Sequence, residues 1–352
     1  MNKIFEYLNT DIDAVLITSD VNRRYFTGLK STAGICLITQ NKKFLLVDFR
    51  YYEKAVSIVK DFNVIELKNR NKQLEELFSF ENIKTVAVEA DTLTVAEYEK
   101  LRNDFTNIRF ETKLLSEAIN KVRSKKSEYE IECIIKAQRI AEEAFEKTLT
   151  EIKVGMTERQ VADILEDNMK AFGSEGISFD TIVLFGENSA MPHGEPSDTV
   201  IKEGNFLLFD FGATYNGYHS DMTRTVAIGY ATKRMKEIYN IVLNAQVNAI
   251  DNMKIGMTGA EIDSIARTII KNAGYGDNFG HSLGHSVGLE IHEYPNFSPS
   301  FDKPIEKGVV MTVEPGIYLS GEFGVRIEDM VVLTENGVKN LTNSEKSLRI
   351  IK

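Results

Sequence analysis

The chain has 352 residues, 43% of them apolar and 27% charged, with a formal net charge of -10 and two cysteines. At roughly 150 residues per domain this length predicts two domains. No stretch reaches the ~20 apolar residues of a membrane span, and MNKIFEYLNT at the N-terminus lacks the apolar region of a signal peptide. Cys36 and Cys133 lie far apart in sequence, which excludes a disulfide framework and a cysteine-ligated zinc site. Long basic patches are absent, so neither nucleic acid nor a membrane is expected as a partner, and the chain is expected in the cytoplasm.

Residues 1–122 read as alternating strands and helices. Apolar runs occupy residues 13–18, 33–39 and 43–48, the last two joined by Gln40-Asn41 as a hairpin. A helical pattern follows at 51–60, a strand at 63–67, a helix near 74–80, a strand at 85–89 and a helix over 95–105. These elements predict an α/β N-terminal domain over residues 1–122, and it holds no histidine. The polar run at 121–128 (KVRSKKSE) precedes a long helical pattern that ends near residue 150. A second domain is therefore expected over residues 123–352.

That second domain contains an internal repeat. KVGMTERQVADILEDNMKAFG, from Lys153, aligns without gaps to KIGMTGAEIDSIARTIIKNAG, from Lys254, with seven of 21 positions identical. Thr157 with Gln160, and Thr258 with Glu261, have capping-box spacing at a helix start. Downstream, EGNFLLFDFG matches KGVVMTVEPG, so that Asp210 falls opposite Glu314; Asp221 and Glu328 take comparable later places. Two half-domains, each a helix followed by a β-hairpin, would then pair about a pseudo-twofold axis, each delivering two carboxylates to a shared centre.

Asp210 and Glu314 sit in apolar strands, where a carboxylate is costly unless something compensates it. One such acid is explained by a buried ion pair; four in repeat-related places point to a cation. All five histidines lie between positions 193 and 292, and His281, His285 and His292 share the segment GHSLGHSVGLEIHEYP. Gly280, Gly284 and Gly288 are expected to keep that segment slim. The candidate ligand set is Asp210, Asp221, His285, Glu314 and Glu328. It exceeds the needs of one tetrahedral zinc and suits two divalent ions about 3.5–4 Å apart. Oxygen-rich ligation favours Mn²⁺, with Co²⁺, Fe²⁺ or Zn²⁺ as substitutes.

FDFGATYNGYHSDMTRT, GHSLGHSVGLEIHE, VEPGIY and GVRIED resemble the successive signature segments of the pita-bread metallopeptidases, which include methionine aminopeptidase, aminopeptidase P, prolidase and the metal-free creatinase. NRRYFTG and LVDFRYYEKA are similar to segments of the N-terminal domain of the proline-specific members and creatinase. The resemblance implies an α+β pita-bread catalytic domain behind the α/β domain, and a homodimer. It implies that Asp210 chelates the first metal, that Asp221 and Glu328 bridge the pair, and that His285 and Glu314 complete the second. Glu314 would also move the nucleophile's proton. His193 would line the substrate site, His292 contact the scissile region and His281 help form a prolyl pocket. Tyr218, Thr223 and Arg326 would orient the ligands, and His219 is read as structural.

The presence of all five ligands speaks against a creatinase-like enzyme and against a metal-free peptide-binding pseudoenzyme. The N-terminal domain and His193 favour the proline-specific branch over methionine aminopeptidase. Within that branch, some microbial dipeptidases carry an arginine directly after the HExP segment, where this chain has Asn296. The expected activity is therefore that of an Xaa-Pro aminopeptidase acting on short proline-containing peptides, with Xaa-Pro dipeptidase (prolidase) as the alternative.

Overall fold

The computed structural model describes residues 2–352. Its contacts divide the chain into two compact units, Met1–Arg123 and Ser124–Lys352.

The first unit runs β1 (Ala14–Ile17), α1 (Asp20–Thr27), β2 (Ile35–Thr39), β3 (Lys43–Val47), α2 (Phe49–Ile58), β4 (Asn63–Glu66), α3 (Arg70–Phe80), β5 (Thr85–Val88), α4 (Val95–Asp104), β6 (Arg109–Glu111) and α5 (Leu115–Ser124). One mixed sheet has the order β4-β3-β2-β1-β5-β6. Strands β1, β2 and β3 pair antiparallel, and the outer pairs are parallel. Every residue of β1 and β2 is buried, which is why both read as unbroken apolar runs with no alternation.

Helices α1 and α5 and strand β6 go beyond the expected elements. The α1 sequence DVNRRYFT is short and polar on average, but Ser19 caps it and Gly28, at φ 71, ends it. The Glu89 carboxylate fixes its entry, accepting the backbone N–H groups of Thr18 and Ser19 and the Asn22 side chain. Helix α5 continues into the polar run at 121–128, where buried Arg123 donates to Asn22 Oδ1 at 2.8 Å.

The second unit runs α6 (Glu128–Leu149), α7 (Glu158–Ala171), β7 (Ile182–Phe185), β8 (Phe206–Phe211), β9 (Thr214–Tyr215), β10 (Tyr218–His219), β11 (Met222–Ile228), α8 (Lys233–Asn252), α9 (Gly259–Asn272), β12 (Gly284–Ser286), β13 (Glu293–Phe297), β14 (Val310–Val313), β15 (Gly316–Leu319), β16 (Phe323–Arg326), β17 (Asp329–Thr334), β18 (Gly337–Asn340) and β19 (Ile350–Ile351). Its two larger sheets have the orders β19-β11-β8-β7 and β13-β12-β14-β17-β18. This is the α+β pita-bread arrangement with an internal repeat.

The repeat extends to individual hydrogen bonds. Both capping boxes form, at Thr157 with Gln160 and at Thr258 with Glu261. Just before them, Gly155 and Gly256 adopt φ 99 and 88, a region open to glycine at no steric cost. Their N–H groups donate to the carbonyls of Ile201 and Ile305 at 3.0 and 2.9 Å, and those isoleucines donate back to Met156 and Met257. Each half carries two helices ahead of its sheet: α6 matches the helical pattern that ends near residue 150, and its counterpart α8 goes beyond the expected elements. Residues of α6 and α7 pack on β7, β8 and β11 in one core, and residues of α8 and α9 pack on β14 and β17 in the other.

The halves are sewn together where β11 lies beside residues 326–329. The Glu328 N–H donates to Thr223 O at 3.1 Å, and Thr225 Oγ1 donates to Arg326 O at 3.0 Å. The fully buried Arg224 guanidinium reaches from the first half to Asp329 Oδ1 in the second at 2.8 Å. Asp329 Oδ2 also accepts from Asn340 and Lys346, at 2.7 and 2.8 Å. Burial pushes the Asp329 carboxyl up, but Arg224 and Lys346 outweigh it and hold it below its usual range. Removing one partner of a buried pair strands the other. Asp329→Ala should therefore cost about 3–5 kcal/mol in urea unfolding. A change within the ~0.5 kcal/mol of an ordinary surface substitution would contradict this role for the pair.

Candidate metal centre

Strand ends deliver the four acids. Asp210 lies in β8, in register with Ile182 of β7 and Thr223 of β11. Asp221 immediately precedes β11, Glu314 immediately follows β14 and Glu328 immediately precedes β17. These four side chains and His285, at the centre of β12, line one cavity of about 670 Å³. Ligand atoms of Asp221, His285 and Glu328 all lie within 4.8 Å of one another. His285 Nε2 is 3.5 Å from Asp221 Oδ2 and 3.4 Å from Glu314 Oε1. Asp210 stands outside the tightest group, with Oδ2 taking a 2.7 Å bond from Arg326 Nη2.

Neighbouring hydroxyls and one guanidinium orient the acids. Thr223 Oγ1 donates to Glu328 Oε2 at 2.7 Å and accepts from Arg326 Nε at 3.0 Å. Thr312 Oγ1 donates to Glu314 Oε1 at 3.0 Å and accepts the N–H of His285. Asp210 Oδ1 and Glu328 Oε1, by contrast, are buried with no hydrogen-bond partner. An unpartnered buried carboxylate oxygen carries its full desolvation penalty. His285 Nδ1 faces Ser286 O at 3.2 Å. A carbonyl only accepts, so Nδ1 holds the proton and Nε2 turns its lone pair toward the carboxylates. Lone pairs held this close repel unless a cation or proton lies among them. Orphaned oxygens and an inward imidazole lone pair together fit a divalent cation held by oxygen and nitrogen donors.

The electrostatics agree. Burial, followed by the charges of Glu328, Asp210 and Glu314, pushes the Asp221 carboxyl well above its usual range. Burial, then Glu314 and Asp210, does the same to Glu328. Glu314 is raised to about 8, chiefly by burial and against the pull of Arg326. Burial and the neighbouring His292 lower His285 to about 3, keeping its ring neutral. Several acids raised together by burial and by one another's charge mark a site built for added positive charge.

His193, His281 and His292 also line the cavity. The His292 and His285 rings lie 4.3 Å apart at 72°. His281 has both nitrogens engaged, Nδ1 with Ser282 O at 2.8 Å and Nε2 with the Tyr318 hydroxyl at 2.9 Å, so it contributes a wall. Arg326 Nη1 donates to the same hydroxyl at 2.8 Å. Tyr218 donates to Glu130 Oε1 at 3.2 Å, a bond that ties β10 to α6. The cavity lining does not include His219, whose N–H donates to Gly288 O at 2.8 Å.

Two contributors escaped the sequence reading. Thr312 was detectable, since residues two apart in a strand share a face and place it beside Glu314. Tyr318 gives no comparable signal, because its link to Arg326 and His281 depends on the β15–β16 hairpin. The glycine expectation also needs correction. A Cβ at Gly284 would lie 2.0 Å from Thr312 O, and one at Gly288 would meet the Glu293 carboxylate at 2.5 Å, but at Gly280 it would meet nothing within 4 Å.

Comparison with known proteins shows the family. Residues 132–335 match metallopeptidase family M24, and residues 7–125 match the creatinase/prolidase N-terminal domain. The Xaa-Pro dipeptidase of Pyrococcus furiosus is 42% identical over 99% of both chains. The crystal structure of X-Pro aminopeptidase from Thermotoga maritima superposes with a TM-score of 0.92 at 41% identity, covering 97% of this chain and 98% of that one. The Xaa-Pro dipeptidase from Bacillus anthracis gives 0.95 at 38% identity, covering 99% and 98%. With both units matched and relatives this similar along the whole length, the chain belongs to metallopeptidase family M24, a family of metal-dependent hydrolases.

Proposed function

We propose that this chain is a cytoplasmic, homodimeric Xaa-Pro aminopeptidase that uses two divalent ions, most favourably Mn²⁺. Residues 1–122 form its N-terminal domain and residues 123–352 its catalytic domain. The observation that carries this reading is the convergence of two carboxylates from each repeat on one cavity, with buried oxygens of Asp210 and Glu328 unpartnered. Asp210, Asp221, His285, Glu314 and Glu328 would hold the ions. Bound there, the ions would acidify a water molecule and polarise the scissile carbonyl.

The remaining chemistry belongs to side chains. Glu314 would take a proton from the attacking water and deliver it to the proline nitrogen. That nitrogen bears no hydrogen in the peptide, so it must be protonated as the C–N bond breaks and the carbonyl carbon keeps the water oxygen. His292 and His193 face the same cavity and can donate hydrogen bonds to the carbonyl oxygen. Phe179, Ile182, Pro192 and Ile291 supply apolar walls for a pyrrolidine ring.

The names of the dipeptidase relatives favour a second reading, Xaa-Pro dipeptidase. A dipeptide places its free carboxylate one residue past the scissile bond and needs a cation there. Among the described residues lining the cavity, the one arginine or lysine is Arg326, already engaged by Asp210 and Tyr318, and Asn296 is neutral. That charge pattern favours the aminopeptidase.

With Mn²⁺, an Xaa-Pro-Xaa tripeptide should be cleaved at its first bond and EDTA should abolish the reaction. Cleavage of an Xaa-Pro dipeptide alone would establish the second reading. Asp221→Ala should lose at least one equivalent of metal in elemental analysis and nearly all turnover; a metal-replete, active variant would sink the ligand assignment. His292→Ala should retain its metal while kcat falls about 100-fold or more.

The raised carboxylates also predict a pH effect. In metal-free protein they keep protons that the unfolded chain has lost above its ordinary carboxyl value of 4.5, so the stability they contribute is lost as pH rises through about 8. His285 acts oppositely, its contribution being present above 6.5 and lost as pH falls toward about 3. Between pH 6.5 and 8 the carboxylates act alone. Chelated protein should lose thermal stability across that window and release protons when Mn²⁺ is added; a flat profile without proton release would contradict the buried acids.

A further inference from the structure

The polar run at 121–128, which reads as a connector, contains a buried cation. Lys126 is 7% exposed, and its Nζ donates to Ser286 Oγ at 2.9 Å and to Glu293 Oε2 at 3.0 Å. Its backbone N–H donates to Gly308 O at 2.9 Å, which fixes the segment from which the side chain reaches. Ser286 and Glu293 are register partners between β12 and β13, at a bulge that follows His285. Each is the next residue in sequence after one of the paired histidines, Ser286 after His285 and Glu293 after His292. One ammonium thus grips both roots of the excursion through residues 287–292. Glu293 Oε1 secures the excursion itself by accepting the Glu290 N–H at 3.2 Å, in space left open by the missing Cβ of Gly288.

We propose that Lys126 is a positioning residue that sets the spacing of His285 and His292, and so couples metal binding to substrate contact. The inference rests on the metallopeptidase reading above. An apolar residue of similar volume would fill this place at least as stably as a buried ion pair. What the pair adds is direction, because Nζ must satisfy a hydroxyl on one strand and a carboxylate on the next.

The test uses the full chain, with Mn²⁺ affinity measured by isothermal titration and kcat and KM on an Xaa-Pro-Xaa tripeptide. Lys126→Met should weaken Mn²⁺ binding about ten-fold or more, as loss of a residue behind a metal ligand does. Its kcat should fall by at least a similar factor with KM little changed, and Lys126→Arg should recover part of both. Lys126→Met with Glu293→Met removes the stranded carboxylate, so it should recover the unfolding temperature but neither the affinity nor kcat. This double variant keeps the proposal testable if the single one fails to fold. Wild-type affinity and kcat in any folded variant lacking the ammonium, with only the unfolding temperature altered, would overturn the positioning role alone. A wild-type chain that neither binds Mn²⁺ nor cleaves the tripeptide would overturn the metallopeptidase reading and this inference with it.

Discussion

Burying four carboxylates around one cavity costs desolvation and mutual repulsion, and the second unit is organised around how that cost is met. Arg326 neutralises part of it at Asp210, and the hydroxyls of Thr223 and Thr312 each bond one oxygen of Glu328 and Glu314. Two oxygens remain unpartnered, and three of the acids are driven toward their protonated forms. Such an arrangement is unfavourable for folding alone. It becomes favourable when added positive charge turns repulsion among the acids into shared attraction, which binding of cations to the folded state supplies.

The repeat explains how a single chain meets this constraint. Each half supplies a strand that carries one acid and a second acid at the start of the following long strand, so a twofold arrangement brings four acids together without a dedicated loop. The Arg224–Asp329 seam then fixes Asp221 and Glu328 against each other from behind. The Lys126 clamp does the corresponding work for the histidines. Both devices are buried ion pairs, and both sit one layer outside the side chains they serve.

Much of this was legible in the sequence because it rests on local rules. Thr157 with Gln160 and Thr258 with Glu261 form their capping boxes whatever surrounds them, and the glycines that flank those helices mark the same turns twice. Asp210 stood out because an acid within FLLFDF violates the apolar pattern around it. The sequence was silent where an interaction spans a long separation. Lys126 looks like a solvated connector residue until Ser286 and Glu293 are brought to it. Helix α1 was hidden because Glu89, some 70 residues away in sequence, organises its start. Gly280 misled in the opposite direction, since the spacing that makes Gly284 and Gly288 necessary does not extend to it.

The most direct test of the account is anomalous X-ray diffraction from crystals of the protein grown with Mn²⁺, recorded near the manganese edge. Two peaks about 3.5–4 Å apart are expected, both within the ring of Asp210, Asp221, His285, Glu314 and Glu328. A single peak, or peaks that leave Asp221 and Glu328 without a metal contact, would contradict a two-ion centre shared by the two halves of the repeat.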